Sequence, residues 1–338
     1  MPDVAAAKAA AAGVPDRPDT KEGYGIMSHA FDRNMQILTP AQQRIIDFLD
    51  GFSIETTPGT AAKTDSYRAL LAVGTTVNVT FLTGSDFADT IKLVQRLKAE
   101  GMRPVPHIAA RSVPSRAQLD SWLDALVDTA GIDEVLLIGG AAERPLGPFD
   151  RVVQMLETGL FEKHGIRRIG VAGHPEGSPD FSDAAAMLAL ADKNAYARDT
   201  GCEMHIITQF VFEAPPVIAW ERRIREAGNR LPIHIGVPGL ATIKTLLGHA
   251  RACGIGPSMR VLTRQAKNLT KLMSVRAPDR LVSDLAACRA ADPACGISKV
   301  HLYPLGGLRR TAAWVYAVLD GCFHVAEAGG FQLDVPID

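Results

Sequence analysis

Phe52-Ser-Ile-Glu55-Thr-Thr-Pro58-Gly59 is a short β-favouring run that ends abruptly. Phe52 and Ile54 suit a pleated, half-buried strand, and Pro58-Gly59 stops it at once. Glu55 is the unexpected member, because an unpaired buried carboxylate costs several kcal/mol. A solvated acid at a strand end is one reading of it. A catalytic acid on the rim of a parallel barrel is the other, and the chain on either side selects between them.

Upstream, Thr39-Pro40 reads as an N-cap followed by proline at the first helical position, opening a helix to about Leu49. Downstream, helices are expected over about Ala61–Leu71, Asp86–Glu100, Ser115–Thr129, Phe149–Lys163, Ser182–Asp199, Pro216–Ala227, Ala241–Ala252 and Leu308–Leu319. Between them run short, apolar, β-branched segments beginning near Thr76, Pro104, Glu134, Arg168, Met204, Pro232 and Lys299. Such runs suit parallel strands buried on both faces, and short parallel connections require crossover helices. Eight strand–helix units over ~250 residues predict an α/β fold of the (β/α)8 TIM type rather than an open sheet. A G-x-G-x-x-G after the first strand is absent, which weighs against a dinucleotide-binding open sheet. The stretch from about Pro257 to Pro293 reads as a helical insertion without a strand before the last strand. Residues 1–38 are expected to form a partly disordered N-terminal arm ahead of one barrel domain over 39–338.

The composition narrows the function class. Of 338 residues, 47% are hydrophobic and 22% charged, with a formal net charge of −1, so neither nucleic acid nor a membrane surface is expected as a partner. No apolar run approaches the ~18–20 residues of a membrane span. The first residues lack the basic and apolar regions of a secretory signal, and Asp3, Asp16 and Asp19 argue against a transit peptide. Five scattered cysteines without a C-x-x-C pair suit reduced thiols and a cytoplasmic setting. Apolar outer helix faces are compatible with a homo-oligomer or with the barrel's own packing.

In such barrels the site is built at the C-terminal ends of the strands. Those ends offer Glu55, Thr80, His107, Gly139-Gly140, Gly173-His174, Thr208-Gln209, Pro238-Gly239 and Tyr303. They hold no lysine for a Schiff base and no carboxylate pair of the glycosidase kind. His205, His234 and His301 fall at mid-strand, so they read as structural residues rather than metal ligands, and no metal is expected. Gly139, Gly140 and Gly173 either let helices pack close to strand ends or expose backbone N–H groups to a phosphate.

These same residues resemble a known family. Phe52-Ser-Ile-Glu55-Thr-Thr-Pro58-Gly59 resembles the S-x-E-x-x-P-P opening strand of methylenetetrahydrofolate reductases. Val79-Thr80-Phe81 and Pro106-His107-Ile-Ala-Ala-Arg111 are similar to the family's second and third strands. Gly170-Val-Ala-Gly-His174-Pro-Glu is similar to its Ala-x-Tyr-Pro-Glu segment, Ile207-Thr-Gln209-Phe-Val-Phe-Glu213 to Ile-Thr-Gln-x-x-Phe-Asp, and Val237-Pro-Gly239 to its Pro-Gly loop.

The resemblance implies reduction of 5,10-methylenetetrahydrofolate to 5-methyltetrahydrofolate, or the reverse oxidation, with NAD(P)H as hydride source. It makes Glu55 the acid that opens the bridged ring and Gln209 the amide that holds the pterin. A raised Glu55 pKa is expected from its half-apolar surroundings. Thr80, His107, Gly139, Gly140, Gly173 and His174 are the implied cofactor contacts, with FAD as the family's cofactor. The family's flavin-contacting Arg-Gly-Asp turn reads Ile138-Gly139-Gly140 here, and the basic face of its fifth helix shrinks to Lys193. FAD held through backbone groups and direct transfer from NAD(P)H to folate are therefore both open. A folate-binding methyl-transfer partner without hydride chemistry is the alternative.

Overall fold

The alternation of strand and crossover helix closes on itself in the computed structural model, which describes residues 38–178, 180–252 and 273–337. The barrel strands are β1 (Ser53–Thr56), β2 (Thr76–Val79), β3 (Arg103–Ala109), β4 (Glu134–Ile138), β5 (Arg168–Gly173), β6 (Glu203–Phe210), β7 (Ile233–Pro238) and β8 (Ile297–Tyr303). Each pairs in parallel with its neighbour, and β8 returns to β1 with Ser53 beside His301. The fold is the expected (β/α)8 barrel. Except for Leu38, the N-terminal arm lies outside the described residues, as do residues 253–272 of the insertion.

Helix starts follow the local chemistry. Thr39 and Gln42 form a reciprocal capping box at α1 (Pro40–Leu49), the N-terminal extension. Asp86, Ser115 and Ser182 cap α3 (Phe87–Ala99), α4 (Arg116–Ala130) and α7 (Asp183–Thr200), each accepting a backbone N–H of the first turn. Thr57 caps α2 (Pro58–Ala61), so the break after Glu55 is a helix start.

The expected helix over Ala61–Leu71 reduces to α2 alone. Arg96 on α3 draws the carbonyls of Ala61, Thr64 and Asp65 outward, and Glu100 accepts the N–H groups of Tyr67 and Arg68. These side chains take the backbone groups that a longer helix would need for itself. The helix expected over Phe149–Lys163 splits into α5 (Val152–Leu156) and α6 (Leu160–Lys163), because Gly159 turns left-handed with φ 68°. Within the insertion, the two-residue strand Val275–Arg276 pairs with Ala241–Thr242, where only helix was expected. Among the described residues the remaining α-helices are α8 (Ala214–Glu226), α9 (Ile243–Ala252), α10 (Asp279–Ala291) and α11 (Leu308–Leu319), and an unforeseen antiparallel hairpin joins Phe323–Val325 to Phe331–Leu333.

Strand residues divide with period two. Ile54, Val77, Val79, Ile108, Val135, Leu137, Val171, Ile235, Val300 and Leu302 are fully buried in the large core between strands and helices. The alternate residues face the barrel interior, and they are unusually polar. Val105, Leu136 and Ile207 form a small apolar plug of their own. Beside it stand Ser53, Glu55, Asn78, His107, His205, His234 and His301. Burial of so many polar groups is tolerated only where they find partners, and those partners define the site.

Candidate active site at the C-terminal ends of the strands

Glu55 lies one residue from the end of β1 and points inward, because Ile54 and Thr56 fill the outer layer. Its Oε2 accepts a hydrogen bond from Thr80 Oγ at 3.0 Å, and Thr80 is itself held by its N–H on the Thr56 carbonyl. Its Oε1 faces His301 Nε2 at 3.4 Å and His107 Nε2 at 3.7 Å. Both imidazoles are buried, and neither Nε2 makes a directed hydrogen bond in this arrangement. His301 is steered from behind, its Nδ1 2.8 Å from Ser53 Oγ, and its ring meets Tyr303 edge-on.

Burial pushes the Glu55 carboxyl up, but His301, His107 and the Thr80 hydroxyl outweigh it and hold the carboxyl below its ordinary 4.5. The direction is opposite to the raised value expected from apolar neighbours. The reason is that the apolar residues of β1 face outward, while the inward neighbours are donors. His107 is pushed down to about 4, chiefly by burial, against the opposing pull of Glu55. At neutral pH His107 is therefore a neutral ring beside the carboxylate.

Gln209 is placed by a bulge. The register between β6 and β7 shifts between Ile207 and Phe210, and the extra residue turns the strand end. Thr208 organises it: its Oγ donates to the Gln209 carbonyl and accepts the Gly236 N–H, while Tyr303 Oη donates to the Thr208 carbonyl. Gly236 leaves room, since a Cβ there would lie 2.5 Å from the Thr208 carbonyl oxygen. The Gln209 side chain is half-buried and has no hydrogen-bond partner among the described residues.

The other rim residues separate into two groups. Thr80 and His107, implied as cofactor contacts, stand against Glu55. Gly140, with φ 89°, brings its backbone close to Ala109, whose Cβ is 3.0 Å from where a Gly140 Cβ would lie. Gly139 accepts the Arg111 N–H at its carbonyl. Gly173 is buried, and its missing side chain makes room for Ile206 and Trp220. His174 lies edge-on to Phe181, and burial, then Lys193, push its ring down to about 4 against the pull of Asp180.

Sequence reasoning missed His301 and Ser53 as members of the site. His301 shares the inward parity of Tyr303, and Ser53 that of Glu55, so the signal was present. The cross-strand pairing of Ser53 with His301 was not. Beside the ends of β6 and β7, a cavity of about 530 Å³ is lined among the described residues by Phe212, Pro238, Gly239, Leu246, Arg276 and Arg280. No three His, Cys, Asp or Glu side chains among the described residues are grouped to hold a metal ion.

The comparisons with known proteins come from sequence and from structure. Among solved structures, an uncharacterized protein from Clostridium thermocellum, described as binding two copies of 5-methyl-5,6,7,8-tetrahydrofolic acid, is similar at 15% identity. The match covers 83% of this chain and 98% of that one, with a TM-score of 0.52. A mutant tryptophan synthase α-subunit from the hyperthermophile Pyrococcus furiosus matches at 12% identity over 81% of this chain and 92% of that one, with a TM-score of 0.39. At these identities the first likeness shows the barrel fold and the second carries no argument. The sequence itself matches the family model described as methylenetetrahydrofolate reductase over residues 52–303, from the strand of Glu55 to the end of β8. The chain therefore belongs to the methylenetetrahydrofolate reductase family.

Proposed function

We propose that the protein interconverts 5,10-methylenetetrahydrofolate and 5-methyltetrahydrofolate, with Glu55 moving the proton and a nicotinamide dinucleotide supplying or taking the hydride. The observation that carries this reading is the Glu55 carboxyl on the barrel rim, ringed by two imidazoles and a hydroxyl. Opening the bridged ring requires that its amine leave, and an amine is a poor leaving group until protonated. Protonated Glu55 gives its proton to that nitrogen as the bond to the methylene carbon breaks. Hydride addition to the iminium carbon then completes the methyl group, and one proton is consumed overall. In the other direction the Glu55 carboxylate accepts the proton as the ring closes.

Gln209, with a donor and an acceptor on one unpartnered amide, suits the pterin edge. Arg276 and Arg280, which line the adjoining cavity, suit the carboxylates of a folate tail. The Clostridium thermocellum neighbour, described as a binder of 5-methyltetrahydrofolic acid, is in keeping with folate as ligand.

FAD, the family's usual flavin, finds a poor donor set. Its phosphates need cations or free N–H groups, whereas the Thr80 hydroxyl goes to Glu55, His107 is 3% exposed and Gly173 is packed under Ile206. Lys193, close enough to His174 to act on its ring, is a nearby cation, and burial lowers it to about 8. Direct transfer between NAD(P)H and folate therefore fits these residues better. The test is oxidation of NADH and of NADPH by purified protein with methylenetetrahydrofolate, with and without added FAD. Folate-dependent oxidation that needs no FAD is expected, together with no absorbance band near ~450 nm. Folate binding without any oxidation would instead establish the methyl-transfer partner.

A further inference from the structure

The barrel has a second polar opening, at the N-terminal ends of its strands. A cavity of about 220 Å³ there is walled by Ser53, Thr76, Asn78, Glu134, His234 and Lys299 among others. Barrel interiors are ordinarily filled by layers of branched apolar side chains, and here that filling is confined to the plug on β3, β4 and β6. On the β1–β2–β7–β8 side the interior stays polar from end to end. Gly236, beside His301, adds no apolar side chain, and the Thr208 and Gln209 carbonyls with the Tyr303 ring fill its place.

Asn78 marks the inner wall. It is 1% exposed, and its Oδ1 has no hydrogen-bond partner. The residue also walls the cavity, which at this size and polarity has room for several waters. The charges near the outer mouth are largely compensated: Glu134 lies 2.5 Å from Arg103 and 3.0 Å from Arg168, Glu203 and Lys299 are exposed, and His205 stacks on His234. Water suits such a lining better than an anion does.

The cavity ends at Ser53. Ser53 Oγ is 2.8 Å from His301 Nδ1, and His301 Nε2 is 3.4 Å from Glu55 Oε1. We infer that this column is a proton inlet, connecting Glu55 to solvent at the face of the barrel opposite the substrates. The inference rests on the proposed reaction, whose reductive turnover consumes a proton while folate and nicotinamide cover the C-terminal rim. Solvent at the mouth supplies that proton to water lying against Asn78. That water passes a proton to Ser53 Oγ as the Ser53 hydroxyl proton moves to His301 Nδ1. The His301 Nε2 proton moves to the Glu55 carboxylate. One proton enters and one carboxyl is recharged; His301 is left with its proton on Nδ1 instead of Nε2, and a flip of the ring restores the starting tautomer before the next turnover. Asn78 acts through water and is a positioning residue.

The experiment drains the column without touching the acid. Asn78→Leu keeps the volume and removes the polar wall, and Thr76→Leu narrows the mouth; circular dichroism and thermal melts verify folding. Expected in the reductive direction is a fall in kcat of about tenfold, with the folate KM within about twofold and a larger solvent deuterium isotope effect on kcat. Wild-type kcat and isotope effect in both variants would overturn the inlet. Should wild-type protein show no turnover, the proposed reaction fails by itself, and the inlet is then judged by NMR. Exchange of the His301 ring N–H with deuterated solvent, with and without 5-methyltetrahydrofolate, is expected to slow about tenfold in Asn78→Leu. Equal exchange rates in the variant and the wild type would overturn it.

Discussion

Glu55 is surrounded by groups that favour its anion, and this shapes what each substitution should do. Glu55→Gln keeps size and hydrogen bonding to Thr80 but cannot give up a proton. It should lower kcat by about 10²–10⁴-fold while leaving the folate dissociation constant near that of the wild type. Stopped-flow turnover and equilibrium titration separate the two quantities, and a near-wild-type rate would remove Glu55 from the chemistry. Because its carboxyl is held below 4.5 in the free protein, the protonated form shrinks about tenfold per pH unit across the neutral range. The reductive kcat/KM should therefore fall as pH rises from 6 to 8, with a slope near −1. The oxidative kcat/KM, which uses the carboxylate, should be flat over the same interval. Gln209→Ala should weaken folate binding by about 1–2 kcal/mol and change kcat less; an unchanged dissociation constant would end that role.

At the scale of elements, the bulge on β6 is what turns Gln209 to the rim. It depends on Gly236 of the neighbouring strand, since a Cβ there would lie 2.5 Å from one backbone carbonyl oxygen and 2.6 Å from another. Backbone gives way less readily than a flexible side chain, so Gly236→Ala should destabilise the fold by about 1–3 kcal/mol. It should also weaken folate binding more than Gly173→Ala does, although Gly173 is as tightly packed. Its crowding falls chiefly on Ile206 and Trp220 in the outer layer, and it meets the Thr208 methyl only at 3.4 Å, an ordinary contact distance. Denaturant melts and folate titrations on the two variants make the comparison. Equal effects on binding would show that the bulge does not position Gln209.

The whole molecule carries an unusual load of buried imidazole inside its barrel. His107 and His205 are both held near 4, chiefly by burial, against an ordinary 6.5. A histidine whose folded pKa is depressed stays neutral while the unfolded chain takes up a proton. Stability is therefore full above pH 6.5 and falls as pH drops towards 4, by on the order of 3 kcal/mol for each residue. Against a total of ~5–15 kcal/mol, two such residues are enough to cause acid unfolding. Urea midpoints measured from pH 7 to 4 should fall steadily, and His205→Gln should flatten the curve. A midpoint independent of pH over that interval would contradict the burial of these rings.

Sequence alone determined the eight alternating units, the helix starts near Thr39, Asp86, Ser115 and Ser182, the rim position of Glu55 and the family. These are local or periodic properties: a cap needs one side chain and the next turn, and a buried parallel strand announces itself by its apolar run. The closure of β8 on β1 was inferred from counting units, but the register of that closure was not. Only tertiary structure set Ser53 beside His301, and so turned a mid-strand histidine into a neighbour of the acid. It also decided the sign of the Glu55 shift, because a carboxyl responds to what crosses the barrel towards it rather than to the residues beside it in the chain. The same holds for the turns of residues 62–75, where Arg96 and Glu100 on α3 captured backbone groups that the local sequence would have spent on a helix. Contacts between distant strands carry no local signature, and in this barrel those contacts make the site.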